Sequence, residues 1–316
     1  AAGAAQGGQA GSGPEVLPLP YYTCPAEGGL SFECAKVQVP LDHADPAGKT
    51  ITLFVRKAAA KQQPARGRLW VLQGGPGVST TQTLPATAFT TMAPDLDVCL
   101  VDHRGTNTST PLSCPDAEAL LGKQTDPATN AAALSACGAT LEAQWGKPGL
   151  AQFSSEAAGK DLGLLIARDR KVAGAPKDAF VYGVSYGTRW AMRYLRAYPD
   201  QASGVILDGV AKEGTDFARF AENAEAVAKK VFDACSADAF CSSKLPGGWA
   251  KLEALNAKLL AGHCPTSLGL DRGRYRTLFQ NVIAARAALL PALVYRVDRC
   301  ADADRVLIEK TRKMLP

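Results

Sequence analysis

The pentapeptide Gly183-Val-Ser-Tyr-Gly constrains this chain more than any other feature, because of its flanks. Before it runs Ala179-Phe-Val-Tyr, a short apolar stretch of strand type. After it, Thr188-Arg-Trp-Ala-Met-Arg-Tyr opens a helical pattern that Pro199 ends. A strand that reverses so abruptly into a helix forces its apex residue into a strained conformation and leaves no room for bulky neighbours. Gly183 and Gly187 meet that demand and leave Ser185 at the apex, on the N-terminus of the helix. There the helix dipole and free amides favour developing negative charge, so Ser185 is the candidate nucleophile.

Other stretches place this turn in a larger frame. Leu69–Leu72 and Val98–Val101 are short continuous apolar runs, each closed by a Gly-rich or polar loop, as expected of strands buried on both faces of a parallel sheet. Alternation over Ala35–Val39 and Ile51–Arg56, around a Pro/Asp/Gly-rich turn, predicts a hairpin at a sheet edge. Ser154–Arg168 has helical spacing and Gly204–Asp208 adds a strand, so strands alternate with helices in the manner of an α/β sheet. From Phe217 to Arg312 the pattern is helical, broken at Pro246-Gly-Gly and Gly269–Gly273, with no clear new strand. With 316 residues, 47% of them hydrophobic, the chain has room for a core domain and a lid. The expected division is a flexible leader over 1–20, a core over 21–212 and a helical cap over 213–316.

Two motifs upstream of Ser185 suit the same chemistry. Leu72-Gln-Gly-Gly-Pro-Gly closes a strand with backbone small enough to aim amides at a substrate oxygen. The amides of Gly75 and Tyr186 are the expected oxyanion donors, with Gly74 supporting them. Val101-Asp-His-Arg-Gly-Thr ends the next strand, and Asp102 and Arg104 are expected to form a charge pair bracing the Gly-rich loop.

In this order, Gln73-Gly-Gly-Pro-Gly, Asp102-His-Arg-Gly-Thr and Gly183-Val-Ser-Tyr-Gly-Thr resemble the proline iminopeptidase and tripeptidyl aminopeptidase family. Val39-Pro-Leu-Asp, Leu207-Asp-Gly-Val and the pair Cys235 and Cys241 resemble its secreted tripeptidyl-aminopeptidase branch, and the resemblance covers most of 21–304. It implies an α/β-hydrolase fold with a mostly parallel sheet and a helical cap. It also implies a serine exopeptidase that cleaves peptides from a free N-terminus through an acyl-enzyme, with no metal or organic cofactor. An esterase or lipase of the same fold, or a hydrolase scaffold that binds peptides without cleaving them, are the alternatives. One departure is Gln73, where many relatives have His; it changes a side chain and is expected to leave the oxyanion amides in place.

The general base is missing from this pattern. In such folds the order is Ser, then Asp or Glu, then His. The chain holds three histidines, His43, His103 and His263, and the first two precede Ser185. His263 comes after it, beside Cys264 and Pro265, with no strand before it. Asp208 ends the strand after the serine-bearing helix and is read as a loop cap. The closing strands, Asp loop and Gly-His turn of the resembled family have no match. The catalytic Asp and His are therefore expected outside this chain, on a C-terminal fragment or a second chain, without which the polypeptide would be nearly inert. Glu213, Glu222 and Glu225 lie where a cap carboxylate would meet the substrate's amino group, and none is assigned that role.

Nine cysteines suit an oxidising compartment. Cys24 with Cys34, Cys114 with Cys137, and Cys235 with Cys241 are close enough in sequence to bridge. Cys264 can pair with Cys300, or several thiols can stay free, while Cys99 sits in an apolar run as a buried thiol. Together with the Ala/Gly-rich start, read as a stretch left by signal-peptide removal, this predicts a secreted or periplasmic protein. The net charge of +5 is spread without a Lys/Arg run, so nucleic-acid binding is not expected, and no membrane-spanning stretch is read.

Overall fold

The computed structural model describes residues 17–122, 127–212, 214, 219–264 and 272–314. It divides into two compact units, Ala1–Glu213 and Gly214–Pro316.

The first unit is built on a seven-stranded sheet in the order β1-β2-β3-β5-β4-β6-β7. The strands are β1 (Tyr22–Glu27), β2 (Leu30–Pro40), β3 (Thr50–Ala58), β4 (Gly67–Leu72), β5 (Leu96–Val101), β6 (Asp178–Val184) and β7 (Gly204–Asp208). β5, β4, β6 and β7 pair in parallel, while β1, β2 and β3 attach antiparallel to one another and to β5. The hairpin expected at a sheet edge is β2–β3; it lies one strand in, because β1 covers β2. Among the described residues of this unit the helices are α1 (Thr80–Thr83), α2 (Ala86–Met92), α3 (Pro115–Gly122), α4 (Pro127–Ala151), α5 (Ser155–Asp169) and α6 (Tyr186–Ala197).

Period-2 alternation divides each inner strand between two cores. Trp70, Leu72, Cys99 and Val101 face α5 and α6, meeting Leu162, Leu165, Ile166, Trp190 and Tyr194. Leu69, Val71, Val98 and Leu100 face the other way, against Ala86 and Phe89 of α2. Every residue of β4 and β5 is buried, so their continuous apolar runs follow from cover on both faces. α5 starts where Ser154 accepts a hydrogen bond from the Ala157 amide, and it holds α6 through the Trp190 indole, which donates to the Ala158 carbonyl at 2.8 Å. With a strand–turn–helix after β6 carrying the serine, this is the α/β-hydrolase fold expected from the sequence.

Most of the expected leader, residues 1–16, lies outside the described residues. Its last part is fixed to the core: the Leu19 amide donates to the Arg168 carbonyl, and the Leu19 side chain is buried. Disulfides join Cys24–Cys34, Cys114–Cys137, Cys235–Cys241 and Cys264–Cys300, and Cys99 is a buried free thiol.

The second unit contains α7 (Phe220–Ala237), α8 (Ala239–Lys244), α9 (Gly248–Leu260), α10 (Arg272–Arg286), α11 (Leu290–Arg299) and α12 (Asp302–Met314). Its core gathers Phe232, Leu255, Tyr275, Val282, Leu293, Val294, Val297 and Ile308. One expectation needs correction here. Arg274–Arg299 is long and apolar enough to cross a membrane, with a mean hydropathy of 1.5 over its most apolar window. In the structure this stretch is interrupted by a 3₁₀ turn at Ala287–Leu289, and its apolar positions Tyr275, Leu278, Val282, Leu290, Leu293, Val294 and Val297 form much of the unit's core.

Candidate active site

Ser185 stands at the junction of β6 and α6 with φ 54° and ψ −121°, a left-handed backbone that a residue with a side chain adopts only when its surroundings enforce it. Three close approaches enforce it. A Cβ on Gly183 would collide with the Gly187 carbonyl, and one on Gly187 would collide with the Leu72 carbonyl at the end of β4. The Ser185 amide donates to the Asp208 carbonyl at the end of β7 (2.8 Å), which fastens the turn to the neighbouring strand. The serine side chain is thereby left exposed at the C-terminal edge of the parallel strands, where ligands of open α/β sheets bind.

The Gly-rich loop after β4 lies directly against this serine. A Cβ on Gly74 would be 2.7 Å from the Ser185 Cβ and 3.1 Å from its Oγ, so only glycine permits the approach. Gln73 bears on the loop more directly than the sequence suggested. Its Oε1 accepts a hydrogen bond from the Gly74 amide (2.7 Å), and its Nε2 donates to the Thr83 hydroxyl (2.9 Å). The Gly74 amide is therefore engaged within the loop, while the Gly75 amide, at φ 110°, has no hydrogen-bond partner among the described residues. Tyr186 supplies the first amide of α6, beside Ser185.

The expected Asp102–Arg104 charge pair does not form. The carboxylate of Asp102, wholly buried, accepts from the Ser79 hydroxyl (2.9 Å), the Thr81 amide (3.0 Å), the Thr81 hydroxyl (2.8 Å) and the Asn107 amide group (2.8 Å). It braces the Gly-rich loop through residues 79–81, without a cation. Arg104 turns the opposite way as the chain leaves β5. Its Nε and Nη2 grip both oxygens of Asp161 on α5 at 2.7 and 2.6 Å. The remaining donors reach the Leu41, Gln152 and Pro40 carbonyls. His43 joins this buried cluster through Nε2, 2.8 Å from Asp161 Oδ1. Ser79, Thr81, Asn107 and Asp161 carry no motif that marks them in the sequence; the one local hint is the hydroxyl run Ser79-Thr-Thr after the Gly-rich loop.

Each histidine has defined hydrogen-bond partners, and among the described residues the serine hydroxyl is not one of them. His103 Nδ1 lies 2.7 Å from the Arg104 carbonyl, which can only accept, so that nitrogen carries the proton. Its Nε2 then accepts from the Tyr186 hydroxyl at 3.3 Å, and burial holds the imidazole pKa below its ordinary value. His263 Nε2 faces the Val297 and Asp298 carbonyls within the second unit. Among the described residues the Ser185 Oγ has no hydrogen-bond partner, so the base that a serine nucleophile requires is not supplied there. Asp208 accepts from the Tyr182 hydroxyl, which pushes that phenol up to about 12, and its carbonyl holds Ser185. Glu222 and Glu225 form exposed pairs with Arg219 and Lys229, and Glu213 lies outside the described residues.

No family model matches the chain. It aligns with the tripeptidyl aminopeptidases of Streptomyces coelicolor and Streptomyces lividans at 28% identity over 211 residues, 63% of this chain and 39% of each of those proteins. The match thus spans well under half the length of those relatives. Distant likenesses among solved structures include an α/β hydrolase from Novosphingobium aromaticivorans (15% identity, 65% of this chain and 55% of that one, TM-score 0.36). They also include a carboxyl esterase from Bacillus coagulans (15%, 65% and 52%, TM-score 0.38).

Proposed function

We propose that this chain carries the nucleophile and oxyanion hole of a secreted or periplasmic serine exopeptidase acting on peptides with a free N-terminus. The observation that carries the reading is Ser185 itself: exposed, held in a strained conformation at the N-terminus of α6, with the Gly74 backbone packed against it. Strain of this kind persists where the surrounding structure over-determines it, and a purely structural turn has no need of it. In the proposed reaction Ser185 Oγ attacks the scissile carbonyl. The Gly75 and Tyr186 amides receive the developing oxyanion. Its collapse breaks the C–N bond and releases the amine, which takes the proton the base removed from the serine, and water then hydrolyses the acyl-enzyme to restore Ser185. The base and its acid come from a C-terminal segment or a second chain. Without them, turnover falls by several orders of magnitude, to what the oxyanion hole alone provides. The preference for peptides follows the Streptomyces relatives, and the four disulfides favour an oxidising compartment.

The test is labelling with a fluorophosphonate serine probe, read by intact mass on the natively purified protein, with Ser185→Ala as control. Label on Ser185 together with a co-purifying completing chain, and release of peptides from tripeptidyl or aminoacyl amides in preference to short acyl esters, is the expected result. Preference for the esters would replace the peptidase by an esterase. Absence of label in the native assembly would leave a scaffold that binds without cleaving.

A further inference from the structure

α6 begins with a conflict. The residue at its N-cap is Ser185, a type that normally satisfies the first free amides with its own hydroxyl. Here it makes no side-chain cap bond, because the hydroxyl is turned outward. The first turn of the helix, which contains the Tyr186 amide, thus lacks the side-chain cap that usually fastens it. A fastening is found one residue on. The Tyr186 hydroxyl lies 2.8 Å from Ser155 Oγ at the start of α5 and 3.3 Å from His103 Nε2 in the loop after β5.

We infer that His103 and Ser155 are positioning residues that clamp the Tyr186 side chain and so hold the Tyr186 amide in the orientation an oxyanion requires. The inference rests on the reading of Ser185 as nucleophile. The direction of each hydrogen bond follows from chemistry. The Arg104 carbonyl fixes the proton on His103 Nδ1, so Nε2 presents a lone pair and the Tyr186 O–H donates to it. The Tyr186 oxygen then accepts from Ser155. Both ends of the clamp are themselves held by neighbours. The His103 ring lies edge-on to Trp190, with centroids 4.8 Å apart, and next to it Arg104 is locked to Asp161. Ser155 directly succeeds the N-cap of α5. Burial keeps His103 neutral and therefore able to accept. The three anchor points come from separate elements of one unit, so the start of α6 is tied to the loop after β5 and to α5 at once.

The experiment compares wild type with His103→Leu, Tyr186→Phe and His103→Gln, each purified as the native assembly. The rate constant for fluorophosphonate acylation of Ser185 and the probe's binding constant are measured separately. Loss of one neutral hydrogen bond predicts an acylation rate lowered roughly 3- to 10-fold in His103→Leu, and Tyr186→Phe, which loses both bonds of the clamp, should lower it at least as far. Binding of the probe should stay within about twofold, and His103→Gln, which restores an acceptor, should recover most of the rate. Unchanged rates, or no rescue by glutamine, overturn the inference. If wild type is not labelled above Ser185→Ala, the hydrolase reading fails, and the clamp is decided by nitrogen NMR and amide exchange. A neutral His103 protonated on Nδ1, and Tyr186 amide exchange accelerated several-fold in His103→Leu, support it; protonation on Nε2 or unaltered exchange refutes it.

Discussion

Replacing Asp102 with alanine removes the acceptor for four donors: the Ser79 hydroxyl, the Thr81 amide and hydroxyl, and the Asn107 amide group. Three of them have somewhere else to turn. Ser79 Oγ and Thr81 Oγ1 already lie 3.3 Å apart, and Asn107 Nδ2 lies 3.3 Å from Thr81 Oγ1. The Thr81 amide has no such alternative, and a stranded buried donor costs about 1–3 kcal/mol. Loss of the carboxylate's volume at a fully buried site adds about 1 kcal/mol, and relief of the buried charge offsets part of the sum. The expected destabilisation of the first unit is about 1–3 kcal/mol. Asp102→Asn, which keeps one acceptor oxygen for that amide, should cost about half as much. The assay is equilibrium urea unfolding monitored by tryptophan fluorescence in a Trp249→Phe background, which leaves tryptophans of the first unit alone to report. A loss below about 0.5 kcal/mol for the alanine variant, within the range of ordinary surface substitutions, would refute the assignment of Asp102 as the brace of the Gly-rich loop.

The same geometry implies further outcomes. Gly187→Ala drives a Cβ into the Leu72 carbonyl, so the first unit should fail to accumulate as folded protein, whereas Gly77→Ala, with open space around it, should fold with only backbone strain; expression and circular dichroism distinguish the two. His103, whose pKa burial holds below its unfolded value, binds a proton more readily in the unfolded chain. Stability should therefore be full above about pH 6.5 and decline as pH falls below it, with a flatter acid limb in His103→Gln. Tyr182 is raised to about 12 by its bond to Asp208, so its contribution should persist below pH 10 and be lost between about pH 10 and 12, a loss absent in Tyr182→Phe. Opening Cys264–Cys300 by a double serine substitution releases a loop of sequence separation 36 and should lower the stability of the second unit by about 4 kcal/mol, read by urea unfolding.

Residues 179–190 show what the amino-acid sequence determined unaided. Although the contact that demands glycine at 187, with the Leu72 carbonyl, comes from β4, the turn at Ser185 is written in its own pentapeptide, since Gly183 must clear the Gly187 carbonyl four residues on. The same holds for β4 and β5, whose unbroken apolar runs require cover on both faces, and for the cysteines close enough to bridge. α3 and α4 leave no clear trace in the sequence, since small and polar residues dominate them and Pro148 and Gly146 interrupt the helical signal. Tertiary structure alone decided the partners of the charges. Asp102 and Arg104 are two residues apart and opposite in sign, yet they leave β5 in different directions, one toward Thr81 and the other toward Asp161, 57 positions along the chain. His103 likewise gained its role from α5 and α6, elements more than fifty residues further along. Local sterics act through neighbours in sequence, whereas the choice of a hydrogen-bond or ion partner depends on which side chains the packed sheet and helices bring within three ångströms, and that arrangement exists only once the chain has folded.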